Sequence, residues 1–472
     1  MNKKIKSKIT PIIGLQWGDE GKGKGVARIA SSLNKKDLIV RFQGGNNAGH
    51  TIWHDGQCYI FHLIPSGVFG QAQIHLGAGM VINPGALLEE SNKIPPAIDL
   101  RARPKKTFFL KRMSVSSHAV LTLPTHLLLD TVSEYNKGKK KIGSTGKGIS
   151  PSYTDLTLRR ALRVGDIFYK DFKKKYEALK REHQETLWKV FGYKVSGKEL
   201  KTNEKNFWRG IKFMRKLNFR ESAEIVAEAL AEGHKVIAEG AQGALLDVRF
   251  GNYPFVTSSH TIASGVGTGL GIPPEYIGGA IGVLKAYTTK VGEGPFPTEL
   301  GGKKSRIWCR DKRVAEEKEK FPNPNLNSQD EFEQGVALRQ AGSEIGATTG
   351  RLRRTGWLDI PLLKYAIRMN RATELVLTKL DVLNGFRKIK VCVAYKINKK
   401  KTEKIPFDLS RVKIKPVYRS FPVWPGKLQN YGKKLPKEAL TYVKFLEKTL
   451  GAPILYVGTG PEEHHVVERY WR

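Results

Sequence analysis

The chain has little cysteine for its length, with only Cys58, Cys309 and Cys392 among 472 residues. Three scattered thiols cannot form a disulfide framework, which argues against a disulfide-rich secreted protein. Apolar runs are also short: none approaches the roughly 20 residues of a membrane-spanning helix, and no apolar segment follows the basic residues 1–8. With 40% hydrophobic residues the chain can still bury a large core, so we expect a soluble, cytoplasmic protein.

Acidic residues are scarce as well. The chain has 44 Asp and Glu against 81 Lys and Arg, a formal net charge of +37. The excess lysine clusters in residues 137–141, 170–180 and 396–404, which we interpret as solvated faces and loops. Such a charge could also bind a polyanion, so a nucleic-acid-binding protein on a vestigial enzyme fold stays an alternative. No nucleic-acid reader motif is evident, and the sequence does not favour nucleic acid as a partner.

A glycine-rich loop, GLQWGDEGKGKG from position 14, is almost a phosphate-binding P-loop. Gly18, Gly23 and the lysine after it satisfy the P-loop spacing, but Gly25 stands where that motif has Ser or Thr. The missing hydroxyl normally binds Mg²⁺, so a metal ligand must come from elsewhere. Asp19 offers a carboxylate within the same loop. The loop therefore has the residues for phosphate binding and for chemistry.

The segments around this loop favour an anion site over a turn with incidental lysines, which is the alternative. Residues 9–15 form a short apolar run typical of a buried strand, and residues 25–33 have the apolar spacing of a helix. A strand, a glycine loop and a helix N-terminus together create a site for anions.

A second segment, RFQGGNNAGHT at positions 41–51, follows the strand-like residues 37–40 and combines glycines, amides and one histidine. Through this segment and the WGDEGKGK loop, the sequence resembles the adenylosuccinate synthetases, which join IMP to L-aspartate with GTP in purine nucleotide biosynthesis. The resemblance extends along nearly the whole chain. Further matching blocks lie at residues 143–148, 158–166, 239–243, 253–259, 294–299, 346–357 and 378–381.

The resemblance and the alternation of strand-like and helix-like segments predict an α/β fold. We expect a P-loop-NTPase-like domain with a mainly parallel central sheet flanked by helices, and smaller accessory helical and loop subregions. Because matching blocks spread from Gly18 to Gly460, we expect one domain over residues 1–472. Residues 1–8 would be a basic extension. Residues 301–343, which contain FPNPNLNS, would be a loop insertion.

The chemistry of this family explains the residue types in the two glycine segments. The 6-oxygen of hypoxanthine is a poor leaving group, so a base removes the N1 proton and the oxygen takes the γ-phosphoryl group of GTP. The amine of aspartate then displaces phosphate. By resemblance Asp19 is the base and, with the Gly49 carbonyl, a Mg²⁺ ligand, while His50 donates toward the phosphate or the 6-oxygen. The predicted catalytic residues are Asp19, Lys22, His50 and Gln242.

Selection of the guanine base points to Asp381 in the TKLD segment. One carboxylate can accept both the N1–H and the 2-amino N–H of guanine, and adenine offers no such pair. Near the C-terminus this chain has Gly458 where the family has serine, so the hydroxyl of the family's second guanine contact is absent and only backbone groups of Thr459 and Gly460 remain for it. The resemblance assigns GTP binding to Gly18, Glu20, Gly21, Lys22, Gly23, Lys24, Gly49, His50, Thr51, Arg353, Lys379, Asp381, Thr459 and Gly460.

The remaining matched positions concern IMP and aspartate. Arginine forks bind carboxylates in pairs, so the TTGRLRR segment suits a dicarboxylate. By resemblance Arg159 reaches across a homodimer into the partner's IMP site. A phage-type relative that uses dGMP is a second alternative, but its loop lacks the aspartate that this chain keeps as Asp19. IMP binding is assigned to Asp19, Asn47, Ala48, Thr145, Arg159, Gln242, Thr257 and Arg351, and aspartate binding to Thr348, Thr349, Arg351 and Arg353.

Overall fold

The structure is a computed structural model that describes residues 5–95, 107–346, 350–462 and 464–469. The predicted basic extension at residues 1–8 therefore lies partly outside the described residues. Thr348 and Thr349, which are predicted to bind aspartate, lie outside them entirely. Within the described part no helix is both long and apolar enough to cross a membrane.

The strands of the described residues are β1 Ile9–Gly14, β2 Leu38–Arg41, β3 His50–His54, β4 Gln57–Phe61, β5 Gln73–Leu76, β6 Val81–Ile82, β7 Met113–Val115, β8 Val120–Leu121, β9 Asn218–Phe219, β10 Val236–Glu239, β11 Ala280–Lys285, β12 Thr288–Lys290, β13 Arg354–Gly356, β14 Leu358–Asp359, β15 Ala372–Thr378, β16 Lys388–Ile397, β17 Lys400–Thr402, β18 Lys415–Pro422, β19 Ile454–Gly458 and β20 Val466–Glu468.

Ten of these strands form a central sheet in the order β20-β19-β15-β11-β1-β10-β2-β5-β7-β9. Every neighbouring pair is parallel except β19 with β20, so the predicted mainly parallel sheet is confirmed. The central strands β10 and β11 are buried at every position, which is why they have almost continuous apolar sequences.

The helices are α1 Lys22–Ala30, α2 Pro84–Lys93, α3 Thr107–Arg112, α4 Pro124–Asn136, α5 Ile149–Thr157, α6 Phe172–Phe191, α7 Gly197–Met214, α8 Ser222–Glu232, α9 Gly265–Leu270, α10 Gly302–Asp311, α11 Val314–Lys320, α12 Glu331–Ala341, α13 Ile360–Asn370 and α14 Lys437–Leu450. Smaller sheets lie outside the central one: the β3–β4 hairpin, the pairs β6–β8 and β12–β13, and a sheet in which β16 pairs with β14, β17 and β18. These small sheets were not predicted, since the accessory subregions expected from the sequence were helices and loops.

The predicted elements around the glycine loop lie close to their predicted positions, with one difference. The run at residues 9–15 forms β1, and residues 37–40 overlap β2. The helix predicted from residue 25 begins instead at Lys22. Gly21 adopts a left-handed φ of 83°, which ends the loop and lets the helix start earlier. The helix N-terminus therefore includes the lysines of the loop.

The prediction of a loop at residues 301–343 is wrong. This segment contains α10, α11 and α12, and only the Pro- and Asn-rich connection near Phe321 matches the loop pattern. The aromatic rings of Trp308, Phe321 and Phe332 pack against one another with centroids 5.7 to 5.8 Å apart. The helices are stabilised because these rings pack together and Phe332 is buried, and the Asp330 side chain accepts a hydrogen bond from Phe332 N at the start of α12.

Candidate active site

A cavity of about 1060 Å³ lies at the edge of the sheet where parallel strands β1, β10 and β15 end. Loops that follow the carboxyl ends of parallel strands meet at one edge, which is where α/β proteins bind ligands. The predicted site residues that line the cavity are Gly18, Asp19, Gly21, Lys22, Gly23, Lys24, Asn47, Ala48, Gly49, His50, Thr51, Thr145, Gln242, Thr257, Arg351, Arg353, Lys379, Asp381 and Gly460.

Three other predicted residues lie away from the cavity surface. Glu20 and Thr459 are buried, with 0% and 2% of their surface exposed. Arg159 is exposed, just beyond α5, with a left-handed φ of 63°. Its neighbour Arg160 lines the cavity instead. Within this single chain, Arg159 does not contact the cavity to which the resemblance assigns it.

The glycine loop is held in shape by the buried carboxylate of Glu20. Its Oε1 accepts hydrogen bonds from the backbone N–H groups of Gln16 at 3.0 Å and Gly18 at 2.8 Å, and its Oε2 accepts one from Lys22 Nζ at 2.6 Å. A Cβ atom at Gly14 would lie 2.2 Å from this carboxylate, so only glycine fits there. The side chain of Glu20 thus lies behind the loop, leaving its backbone to face the cavity.

Asp19 lies at the tip of this loop with a left-handed φ of 59°. Its Oδ2 is 2.7 Å from Arg353 Nε, and 27% of its side chain is exposed. The carboxylate predicted to act as the base is therefore paired with an arginine of the segment predicted to bind aspartate. A left-handed conformation at a non-glycine residue costs energy and is often found at functional sites.

His50 lies in the cavity wall beside a buried carboxylate that the sequence did not single out. Its Nδ1 pairs with Glu239 Oε1, and the Ser66 hydroxyl lies 3.2 Å from the same nitrogen and donates to Glu239 at 2.7 Å. Burial lowers the pKa of His50, against the raising effect of Glu239, and Arg41 lowers it further. His50 is thus a neutral imidazole near pH 7 whose Nδ1–H donates to Glu239.

Glu239 itself is fully buried at the end of β10. Burial acts to raise its pKa, but the interactions with His50, Arg41 and Ser66 outweigh burial and lower it. The glutamate belongs to the matched block at residues 239–243, so the available signal was an acidic residue ending a buried strand. Its role could not be read from spacing, because its partner His50 lies 189 positions earlier in the chain.

One end of the cavity contains Asp381. Its Oδ1 is buried and has no hydrogen-bond partner among the described residues, and burial raises its pKa. Lys24 Nζ donates to the carbonyl oxygens of Gly460 at 2.8 Å and His465 at 2.9 Å. The lysine thus ties the C-terminal loop to the glycine loop. Gly458, the departure from the family pattern, also lines this end.

The cavity lining also contains amides, hydroxyls and Arg351. Asn47 Nδ2 donates to Thr257 Oγ1 at 3.5 Å. Arg351 Nη2 donates to the carbonyl oxygens of Gly143 at 2.8 Å and Ser144 at 3.2 Å. These contacts hold the arginine segment against the block at residues 143–148. Arg351 therefore joins two of the predicted substrate-binding blocks.

A buried cluster of His126, Asp155 and His183 has metal-ligand chemistry but does not fit a metal ion. Asp155 Oδ2 accepts hydrogen bonds at 2.8 Å from Nε2 of both histidines. Leu123 N donates to His126 Nδ1 at 2.9 Å, which requires the proton of this imidazole to be on Nε2. A protonated Nε2 cannot ligate a metal. By contrast, the Asp19 carboxylate and the Gly49 carbonyl are hard oxygen donors that suit Mg²⁺.

Comparisons with known proteins found similar sequences and structures along nearly the whole chain. The family model described as adenylosuccinate synthetase matches residues 11–467. An adenylosuccinate synthetase from Christiangramia forsetii is 44% identical over 97% of this chain and 99% of its own length, and one from Flavobacterium psychrophilum is 42% identical over the same shares. A fully ligated adenylosuccinate synthetase from Plasmodium falciparum is similar in structure, with a TM-score of 0.82 and 32% identity over 98% of this chain and 100% of that one.

A succinoaminodeoxyadenylate synthetase from cyanophage S-2L, bound to dGMP and dATP, has a TM-score of 0.55 over 98% of this chain and 95% of that chain. At 18% identity this likeness shows a shared fold only.

Proposed function

Because the chain belongs to the adenylosuccinate synthetase family, it is a GTP-dependent ligase that joins IMP to L-aspartate, and we propose that the cavity at the sheet edge performs both steps of that reaction. The observation that carries the assignment is a set of buried polar atoms without partners among the described residues. These atoms are His50 Nε2, Gln242 Oε1 and Nε2, and Asp381 Oδ1, and all three residues line the cavity. Unsatisfied buried polar atoms are rare, so a ligand is expected to complete them.

In the first step Asp19 accepts the N1 proton of IMP, and the 6-oxygen attacks the γ-phosphorus of GTP. A bond forms between that oxygen and phosphorus, and the bond to the GDP oxygen breaks. Asp19 must first separate from Arg353, which lies 2.7 Å away in this structure. The released guanidinium is then placed to neutralise charge on the phosphates. Substrate binding therefore activates the base.

His50 acts on the other side of the transferred phosphoryl group. Its Nδ1–H is engaged with Glu239, and its Nε2 faces the cavity without a partner. An approaching phosphate anion stabilises the imidazolium and raises the pKa that burial lowers. The protonated Nε2 then donates to the phosphate or to the 6-oxygen. In the second step the amine of aspartate attacks C6 to form the C–N bond, and phosphate leaves.

We also propose that Mg²⁺ is held by the Asp19 carboxylate and the Gly49 carbonyl, which supply the donor type that this ion prefers. When bound, it neutralises charge on the phosphates of GTP. Asp381 accepts hydrogen bonds from two N–H groups of guanine, and Arg351 binds a carboxylate of aspartate.

A cytoplasmic location is supported by three cysteines that are all free thiols.

The direct test mixes the purified protein with IMP, GTP, Mg²⁺ and L-aspartate and follows adenylosuccinate by absorbance. Parallel reactions replace GTP with ATP, or IMP with dGMP. We expect turnover only with IMP and GTP. Turnover with dGMP instead of IMP would favour the phage-type activity. No turnover with any combination, from a folded protein that binds RNA in a salt-sensitive way, would favour the nucleic-acid alternative.

We propose that the protein is a homodimer in which Arg159 completes the IMP site of the partner. The proposal is supported by the exposure of Arg159 outside its own cavity. Arg159→Leu and Asp19→Asn variants should each be inactive, and mixing them should restore up to about a quarter of wild-type activity through hybrid dimers with one intact site. Failure to recover activity, after subunit exchange has been verified by mass, would contradict the shared site.

A further inference from the structure

The carboxylate of Glu344 accepts hydrogen bonds from side chains in several segments of the chain. Its Oε1 accepts hydrogen bonds from Lys285 Nζ at 2.9 Å, from Lys379 Nζ at 2.7 Å and from the Tyr287 hydroxyl. Its Oε2 accepts one from Arg353 Nη1 at 2.7 Å. The residue is completely buried, and neither the motifs nor the reaction steps above assign it a role.

Two of these donors come from segments with different predicted roles, guanine binding and aspartate binding. Lys379 lies two positions before Asp381, in a left-handed turn with φ of 55°, and it also donates to Gly342 O at 2.8 Å. Arg353 contacts Asp19 through its Nε. Glu344 therefore lies between the turn that reads guanine and the arginine that is paired with the base.

Cationic side chains outnumber carboxylates around Glu344. Three cationic side chains, those of Lys285, Lys379 and Arg353, contact the carboxylate of Glu344, and Asp19 is the other carboxylate that pairs with Arg353. Burial acts to raise the pKa of Glu344, but these cations outweigh burial and hold the pKa well below its usual value. Burial lowers the pKa of Lys285 to about 8, although Glu344 acts to raise it. Removing the carboxylate would leave cations facing one another in a buried site.

We propose that Glu344 is a positioning residue that couples the guanine-reading turn to Arg353, so that GTP and L-aspartate each bind more tightly when the other is bound. The proposal rests on the proposed function of the cavity. A nucleotide that orders Lys379 and Asp381 fixes the carboxylate, which in turn orients Arg353 toward phosphate and aspartate. Coupling of this kind must be reciprocal for binding affinities.

The test measures binding by calorimetry, with IMP present throughout. A non-hydrolysable GTP analogue is titrated with and without saturating succinate, and succinate with and without the analogue. In the parent protein we expect each ligand to lower the dissociation constant of the other roughly fivefold or more, and the two factors to agree. In Glu344→Gln, which keeps the shape and one acceptor but loses the charge, both factors should fall below about twofold. Coupling that survives in this variant would overturn the proposal.

A readout on IMP separates positioning from general damage. The predicted IMP contacts Asn47, Thr145 and Thr257 do not touch Glu344, so the KM for IMP should change less than about twofold while kcat falls. Asp37→Asn is the matched control. Asp37 is equally buried, but it precedes β2 and so lies at the opposite edge of the sheet. Its variant should retain the coupling, and equal losses for all substrates in Glu344→Gln would overturn the specific role.

A second variant keeps the test decisive if Glu344→Gln does not fold. Lys379 is one-third exposed and tolerates change more readily. Lys379→Met should weaken the binding of succinate as well as that of the nucleotide analogue, although Lys379 is not one of the residues assigned to aspartate binding. Unchanged succinate affinity would overturn the coupling. A parent protein that turns over but shows no coupling would overturn this inference alone, whereas one that binds neither ligand would overturn the proposed function with it.

Discussion

The cavity has two walls that are stabilised by different kinds of interaction. The glycine wall, which comprises residues 18–24 and His50, is shaped by backbone N–H groups bonded to a buried carboxylate of Glu20 and by a neutral histidine held by Glu239. The arginine wall, which comprises Arg351, Arg353 and Lys379, is held by ion pairs of Arg353 and Lys379 with the buried Glu344. The first wall therefore depends on carboxylates that hold backbone N–H groups and a histidine, and the second on one carboxylate that holds Arg353 and Lys379.

The most damaging change to the glycine wall should be Asp19→Asn. The amide keeps the size of the side chain but cannot take the N1 proton, so we expect kcat to fall by roughly 10³-fold, within the usual range for loss of a general base. Binding of a GTP analogue should persist, since Glu20 still shapes the loop. Asp55→Asn, at an exposed left-handed position, is the control and should retain full activity. Comparable activity in Asp19→Asn would refute the assignment.

A smaller loss is expected when the support of His50 is removed. Glu239→Gln replaces a charged hydrogen bond worth about 1.5 to 3 kcal/mol, so kcat should fall roughly 10- to 100-fold. Because Glu239 acts to raise the pKa of His50, its loss lowers that pKa. The imidazolium then disappears at lower pH, and the basic limb of the kcat profile should move to lower pH.

Ser66→Ala provides the graded comparison for Glu239. It removes a neutral hydroxyl that donates to the same carboxylate at 2.7 Å, at a cost of about 1 kcal/mol, and should lower kcat about fivefold. A Glu239→Gln variant with normal kcat and an unmoved pH profile would show that the carboxylate only fills space.

A substitution at the guanine end of the cavity should change the nucleotide preference rather than abolish the reaction. In Asp381→Asn the carboxylate no longer accepts two N–H groups, so the KM for GTP should rise roughly 100-fold. XTP carries an oxygen at the 2-position, and the new amide can donate to it, so XTP should become the better substrate. Competition between GTP and XTP measures the change. An unchanged preference would place guanine recognition elsewhere, with the C-terminal loop as the first place to test.

The contrast between the walls also explains what could be predicted from the sequence. Asp19 and His50 belong to local segments in which glycine spacing, a strand and a helix N-terminus lie within a few residues. The parallel sheet and its crossovers bring Glu239 to His50, and Glu344 to Lys285 and Lys379, so no local pattern indicates these contacts. The helices at 301–343 were missed because a Pro- and Asn-rich connection dominated the pattern, while the aromatic packing that stabilises them is not local.

Asp359 is a buried carboxylate with no ion pair among the residues that the structure describes, and its substitution should have the smallest effect. Asp359 accepts hydrogen bonds from the Tyr395 hydroxyl at 2.7 and 2.8 Å and from Leu362 N at 3.2 Å, and burial raises its pKa to about 7. A raised pKa in the folded state means that its contribution to stability is complete below about pH 4 and is lost as the pH rises through 7.

Asparagine keeps the Oδ1 acceptor for Tyr395 and Leu362 and cannot ionise, so Asp359→Asn should gain stability relative to the parent between pH 5 and pH 8. The Tm difference should grow by about 1 to 3 °C over this range, because one site contributes little in a chain of this size. Asp55→Asn is again the control, and its Tm difference should not vary with pH. Activity at saturating substrates should be unchanged, since Asp359 does not line the cavity. A constant Tm difference for Asp359→Asn would mean that this carboxylate, like Glu344, is stabilised in its charged form, and that burial alone does not distinguish the two.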